Sequence, residues 1–225
     1  DKNPLYTKKG IDEIQEISNS TGIKTKSVCA DYFMESPLFH YDENIRKENE
    51  NVLKNLIFNC SLLGVTDIVI PCVDNSSIKS GEQKKIFIET VKKHLPDLEK
   101  YNINFSLETD LPPYEFAELL SKFTSKNVTV NYDIGNSASL GYSFIEELNC
   151  YGKKITNVHI KDRVLNGPSV VLGEGDAHIA EVFSEMSKID YSGLIIMQAY
   201  RDEEGIAIFK KQLSYVNKIL NDLCK

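Results

Sequence analysis

The chain has 225 residues, 41% of them hydrophobic and 26% charged, and a net charge of −7. This is long enough to bury a substantial core in one or two domains. The acidic balance, with no Lys/Arg-dense stripe to offset it, weighs against nucleic acid or an anionic membrane as partner. It leaves small anionic substrates open, because a local site can be basic. No apolar run approaches about 18 residues, so no membrane span is expected, and no signal peptide is visible.

The five cysteines (Cys29, Cys60, Cys72, Cys150 and Cys224) form no C-x-x-C and sit mostly in apolar patterns. They read as reduced core thiols, which places the protein in the cytoplasm. The chain begins at Asp1 rather than at Met. Oligomeric state is not legible, and a homo-oligomer stays open.

In chain order, a helix-like stretch comes first, Gly10–Thr21. Strand-like apolar runs follow at 24–30, 66–72, 103–108, 128–133, 155–160 and 193–199. Between them lie helix-like segments. Over 43–64, Ile45, Val52, Leu53, Leu56, Ile57, Cys60 and Leu63 recur at three- and four-residue spacings and form one apolar stripe. The segment 80–101 repeats that pattern, with Pro96 expected to kink or break it. The other expected helices are 113–125, 143–153, 177–189 and 204–223, and Asp176 is the expected cap of the helix starting near Ala177. Strand alternating with helix, in units of roughly 25–40 residues, implies a parallel sheet.

Side-chain alternation along the strands decides between an open doubly wound sheet and a barrel. Ile103, Phe105 and Leu107 oppose Asn104, Ser106 and Glu108. Val128, Val130 and Tyr132 oppose Thr129, Asn131 and Asp133. Thr156, Val158 and Ile160 oppose Ile155, Asn157 and His159, and Ile195 and Met197 oppose Leu194, Ile196 and Gln198. A sheet covered by helices on both sides should be apolar on both. One polar face instead favours a TIM-type (β/α)₈ barrel, which typically runs about 250 residues. Only six strands are countable, so the reading is an N-terminally incomplete barrel with about two strands and one helix missing before Asp1.

Each of the last four strands ends in a residue able to bind a metal: Glu108, Asp133, His159 and Gln198. All share one parity and all lie at the C-terminal strand ends, where barrel active sites form. Oxygen ligands with one imidazole suit a divalent ion, Mn²⁺, Mg²⁺ or Zn²⁺. The alternative for Gln198 is hydrogen bonding to the other three. Lys161 and Arg163 follow His159 on its parity and are candidates for holding substrate hydroxyls or a phosphate. Arg201, three residues past Gln198, is a candidate for the same mouth. Gly173-Glu174-Gly175-Asp176 reads as a turn rather than a phosphate loop, since its acids would repel phosphate. His40, His94 and His178 read as structural or surface residues.

The segments "SLETD", "NYDIGN", "VHIKDR" and "VLGEGD", in this order, resemble the sugar phosphate isomerase/epimerase family of xylose isomerase-like barrels, related to endonuclease IV. The resemblance covers essentially the whole chain, read as a single domain over 1–225. It begins where that family's second helix would lie, with "SVCADYF" as its third strand. It implies a divalent metal held at Glu108, Asp133, His159 and Gln198, and a small carbohydrate as substrate. Asn136 falls where relatives carry a polar substrate-binding group.

In the family the fourth ligand is Glu, and the first and last Glu form the acid/base pair that moves a proton beside the sugar carbonyl. Glu108 keeps that role. Gln198 departs from the pattern, because an amide does not titrate in the useful range. The resemblance therefore implies isomerisation or epimerisation of a sugar or sugar phosphate through an enediolate, with 3-epimerisation weakened more than isomerisation unless another acid steps in, Glu174, Asp162 and Glu203 being nearby in sequence. Two alternatives accompany it: a catalytically silent sugar-binding or accessory protein, and a dehydratase acting on an inosose-type polyol. An apurinic endonuclease is disfavoured by the acidic charge and by only 4 His residues.

Overall fold

The structure, a computed structural model, describes residues 3–223; Cys224, expected to be a reduced thiol, lies outside them. The six main strands are β1 (Ser27–Cys29), β2 (Asp67–Cys72) and β3 (Asn104–Thr109), paired in parallel in that order, and β4 (Val128–Asp133), β5 (Ile155–Ile160) and β8 (Leu194–Met197), also paired in parallel in that order. Between the last two of these strands, β6 (Asp162–Arg163) and β7 (Ser169–Val170) form a small antiparallel ribbon that sequence patterning does not reveal. The helices are α1 (Lys8–Thr21), α2 (Tyr32–Glu35), α3 (Glu43–Leu63), α4 (Gly81–Tyr101), α5 (Pro113–Leu120), α6 (Ile134–Leu140), α7 (Phe144–Tyr151), α8 (Ile179–Lys188) and α9 (Ile206–Leu223).

The main helices begin and end where local chemistry directs. Thr7, Asp42 and Ser80 accept backbone N–H groups at the starts of α1, α3 and α4, satisfying donors with no partner inside the helix. Gly22 and Gly64 end α1 and α3 in the left-handed region, and Asn102 does so for α4, the conformation that releases a helix C-terminus. Helix α4 continues through Pro96 without a break. The helix expected over 113–125 stops at Leu120. Helix α8 starts at Ile179, with His178 rather than Asp176 as the residue before it. The Asp176 carboxylate instead accepts the Leu165 N–H at 2.7 Å.

By internal contacts the chain divides into two compact units, Asp1–Leu111 with Glu118–Thr129, and Pro112–Ala117 with Val130–Lys225. In the first, β2 and β3 pair in parallel register from Asp67↔Asn104 to Cys72↔Thr109. All six β2 residues are buried, as expected of a strand covered on both faces. Leu53, Ile57 and Cys60 of α3 and Phe87, Val91 and Leu98 of α4 lie in the same core as Ile68, Phe105 and Leu107. The Phe87 ring stands between Phe39 and Phe105, at centroid distances of 6.0 and 6.4 Å.

In the second unit β5 pairs in parallel with β8, Asn157↔Leu194 to Ile160↔Met197. Its core gathers Val130, Tyr132, Val158, Ile160, Val182, Phe183, Met186 and Val216. Cys60 and Cys72 are buried, but Cys150 is half-buried and Cys29 is exposed, which corrects the reading of most of them as core thiols. Burial alone pushes the Cys60 thiol up to about 12. Among the described residues no helix is long and apolar enough to cross a membrane.

Two expectations follow from the first unit. Phe105 is wholly buried, so Phe105→Ala should cost about 3–5 kcal/mol of stability in urea unfolding. His94 on α4 is buried, and its Nε2 has no hydrogen-bond partner among the described residues. Burial holds its pKa below 6.5; Glu50 and Asp97 oppose that shift, and Lys93 and Lys54 reinforce it. The unfolded chain then binds the proton more readily, so the stability contributed by neutral His94 is complete above about pH 6.5 and declines as pH falls below it. His94→Gln should flatten the drop in melting temperature between about pH 7.5 and 5.5.

Candidate metal centre

The strand face read as polar is hydrogen-bonded from one strand to the next. In the first unit Asp67 Oδ1 accepts from Asn104 Nδ2 at 3.0 Å and from Ser106 Oγ at 3.1 Å, and Ser106 Oγ meets Thr129 Oγ1 at 2.9 Å. In the second, Asn157 Nδ2 donates to Asn131 Oδ1 at 2.7 Å. That bond aims the Asn131 amide nitrogen at His159 Nδ1, 3.2 Å away. A buried polar group left unmet costs about 1–3 kcal/mol, so a strand face of this composition is stable only as a linked set.

Glu108 stands in the first unit near the C-terminal end of β3, and Asp133 and His159 stand in the second unit near the C-terminal ends of β4 and β5. All three residues are buried. Asp133 and His159 stand directly opposite each other in the β4–β5 register, with His159 Nδ1 4.0 Å from Asp133 Oδ2. A carboxylate and an imidazole side by side and out of water are donors suited to a divalent cation.

Helix α6, which sequence patterning does not reveal, explains how Asp133 is held. Asp133 is its N-cap, and Oδ1 accepts the Asn136 N–H at 2.8 Å. The other oxygen, Oδ2, accepts no hydrogen bond among the described residues, yet it lies 3.2 Å from Lys161 Nζ. Proximity without hydrogen-bonding geometry makes this an ion pair, and the charge is its main content.

Gln198 follows β8. Its N–H donates to Ile160 O at 3.0 Å, continuing the ladder by one residue. Its side-chain Oε1 is buried with no hydrogen-bond partner among the described residues. A buried acceptor with nothing to accept calls for an explanation, and a cation or a bound hydroxyl would satisfy it.

Asn136, Lys161 and Arg163 come together: Asn136 Oδ1 accepts from Arg163 Nη1 at 3.0 Å and from Lys161 Nζ at 3.4 Å. Arg163 also donates through Nε and Nη2 to Gly167 O, at 3.1 and 2.8 Å, so three of its nitrogens are engaged within the protein. Arg201 is exposed after β8 and is not part of this cluster.

Asp162 emerges as a residue the sequence did not single out beyond its acidity. It is buried, and its carboxylate accepts the backbone N–H groups of Gly173 (2.8 Å), Gly175 (3.1 Å) and Ala177 (3.1 Å). The turn expected at 173–176 is thus wrapped around a carboxylate. A Cβ at Gly175 would fall 2.3 Å from Asp162 Oδ1, so only glycine permits that approach.

The chain matches the family of xylose isomerase-like TIM barrels over residues 1–219. It belongs to that family. Inosose dehydratase from Geobacillus kaustophilus is 29% identical over 142 residues, 53% of this chain and 46% of that protein. The chain spans about half the length of the curated relatives it matches. Among solved structures, a D-tagatose 3-epimerase-like protein superposes with a TM-score of 0.79 at 20% identity, covering 97% of this chain and 85% of that one. The IolI protein, solved with a bound zinc atom, superposes with a TM-score of 0.76 at 20% identity, covering 95% and 81%. At these identities the likeness to solved structures is one of fold.

The Asp162 turn yields a direct test. Asp162→Asn keeps the volume but turns an N–H₂ group toward backbone donors, and should lower stability by about 1–3 kcal/mol in chemical denaturation.

Proposed function

We propose that the protein is a metal-dependent isomerase or epimerase that moves a proton at the carbon beside the carbonyl of a sugar or sugar phosphate, through an enediolate. The observation that carries this reading is the buried pair Asp133 and His159, opposite each other in the β4–β5 register with His159 Nδ1 4.0 Å from Asp133 Oδ2. Gln198 Oε1, buried and unmet, supports the same reading as a fourth, neutral ligand.

Glu108, Asp133, His159 and Gln198 would hold the ion, with Mn²⁺, Mg²⁺ and Zn²⁺ all compatible with that donor set. When bound, a divalent ion polarises the substrate's carbonyl and hydroxyl oxygens and so acidifies the neighbouring C–H.

The chain's own residues do the rest. Glu108 takes the carbon-bound proton as general base and returns it. Burial keeps water from competing for that proton. Gln198 orients substrate hydroxyls but accepts no proton. Transfer is thereby confined to one face of the planar enediolate, which favours aldose–ketose isomerisation over inversion of a stereocentre. Asn136 and Lys161 supply a polar and cationic edge for hydroxyls or a phosphate.

The alignment with an inosose dehydratase favours a second reading, in which the same base removes a proton and a β-hydroxyl leaves as water. The two readings differ in product: one conserves the formula of the substrate and the other loses water.

The test is solvent deuterium exchange by the full chain, with Mn²⁺, over a panel of ketoses, ketose phosphates and inososes. Deuterium entering the position beside the carbonyl is the expected result, and Glu108→Gln should reduce the rate by at least about 10²-fold. Gln198→Glu should restore a second acid/base and raise the share of epimer in the product. Retention of every C–H with metal bound would instead mark a silent sugar-binding protein.

A further inference from the structure

Lys161 stands at the metal centre in a way the proposed chemistry does not use. Its Nζ lies 3.2 Å from Asp133 Oδ2, with 18% of the Lys161 side chain and 1% of the Asp133 side chain exposed. The two oxygens of Asp133 are therefore divided. Oδ1 is committed to the α6 N-terminus through Asn136 N–H, which leaves Oδ2 as the oxygen available to any cation.

The lysine stem is seated rather than free. It lies against Gly135, where a Cβ would come within 2.7 Å of Lys161 Cγ. The same ammonium lies 3.4 Å from Asn136 Oδ1, a second acceptor reachable without leaving that seat. Charge makes the position consequential. Asp133 carries a buried negative charge, and the ammonium offsets it.

Resting on the metal-centre reading above, we propose that Lys161 is a built-in counter-cation of Asp133 that competes with the divalent ion for Oδ2 and so sets the metal affinity of the site. Without metal, Lys161 keeps a buried carboxylate from standing uncompensated, an arrangement that would otherwise be strongly destabilising. Metal binding displaces the ammonium from Oδ2 toward Asn136 Oδ1. The centre then binds its ion reversibly rather than irretrievably, and an anionic substrate group gains a mobile positive charge beside it.

The experiment is calorimetric titration of Mn²⁺ into the metal-free full chain. Lys161→Met and Lys161→Gln remove the charge and keep most of the stem. Each should bind Mn²⁺ about tenfold more tightly than the unaltered protein, a change of about 1.4 kcal/mol. Each should also melt at a lower temperature without metal, and Mn²⁺ should recover more of that loss in the variants than it adds to the unaltered chain. Affinity unchanged or weakened in both variants would overturn the proposal while leaving the metal centre standing. Failure of the unaltered chain and of both variants to bind Mn²⁺ at millimolar concentration would overturn the metal centre itself, and this proposal with it.

Discussion

A polar strand face cut off from water is the constraint on which the rest depends. Asn131, Asn157, Asp133 and His159 are all buried, and parallel strands bring them side by side at one residue per pleat. The backbone alternation that sends Val158 and Ile160 into the apolar layer sends Asn157 and His159 the other way. Each polar group must then find a partner on the next strand, because hydrogen bonds to water are no longer available. The Asn157–Asn131–His159 relay meets part of that requirement and fixes the imidazole in doing so. The same bonds that make the face tolerable therefore orient the imidazole near the strand end.

Asp133 shows how one residue joins fold and site. A strand that ends in Asp can start a helix at once, since the carboxylate caps the new N-terminus. It does so here through Oδ1, and the chain turns directly from β4 into α6. Capping removes rotational freedom from the carboxylate and leaves Oδ2 pointing at a defined place. A carboxylate held this way would lose little further entropy on binding a cation, the condition for a preorganised centre. Asp162, just beyond the end of β5, serves the fold in a related way. By gathering three backbone N–H groups it fixes the 173–177 turn beside Arg163, whose guanidinium grips Gly167 O and Asn136.

Much of this was legible in the sequence because it follows from period two. The six strands, the parity that puts Glu108, Asp133 and His159 on one face, and the apolar stripes of α3 and α4 are properties of spacing. What was not legible depends on contacts between segments far apart in the chain. The Ile134–Leu140 helix carries no apolar stripe in "IGNSASL"; its start is dictated by Asp133, already assigned to another task. The 162–170 ribbon is too short for any periodicity. Asp176 looked like a cap because it precedes an apolar run, but its carboxylate is spent on the Leu165 N–H instead. Arg163 matched the substrate-facing parity of His159, yet its donors are largely spent on Gly167 O and Asn136.

The electrostatics of the centre follow from these placements. In a buried site every charge is felt more strongly than in water, because little solvent screens it. Lys161 sets a positive charge 3.2 Å from the buried Asp133 Oδ2, and His159, held by Asn131, brings an imidazole without adding negative charge. Gln198 brings a buried acceptor rather than a carboxylate, and an amide takes no proton in the useful range. Under the proposed function, a centre with fewer carboxylates would hold its ion less firmly and leave that ion more strongly electron-withdrawing toward a substrate carbonyl.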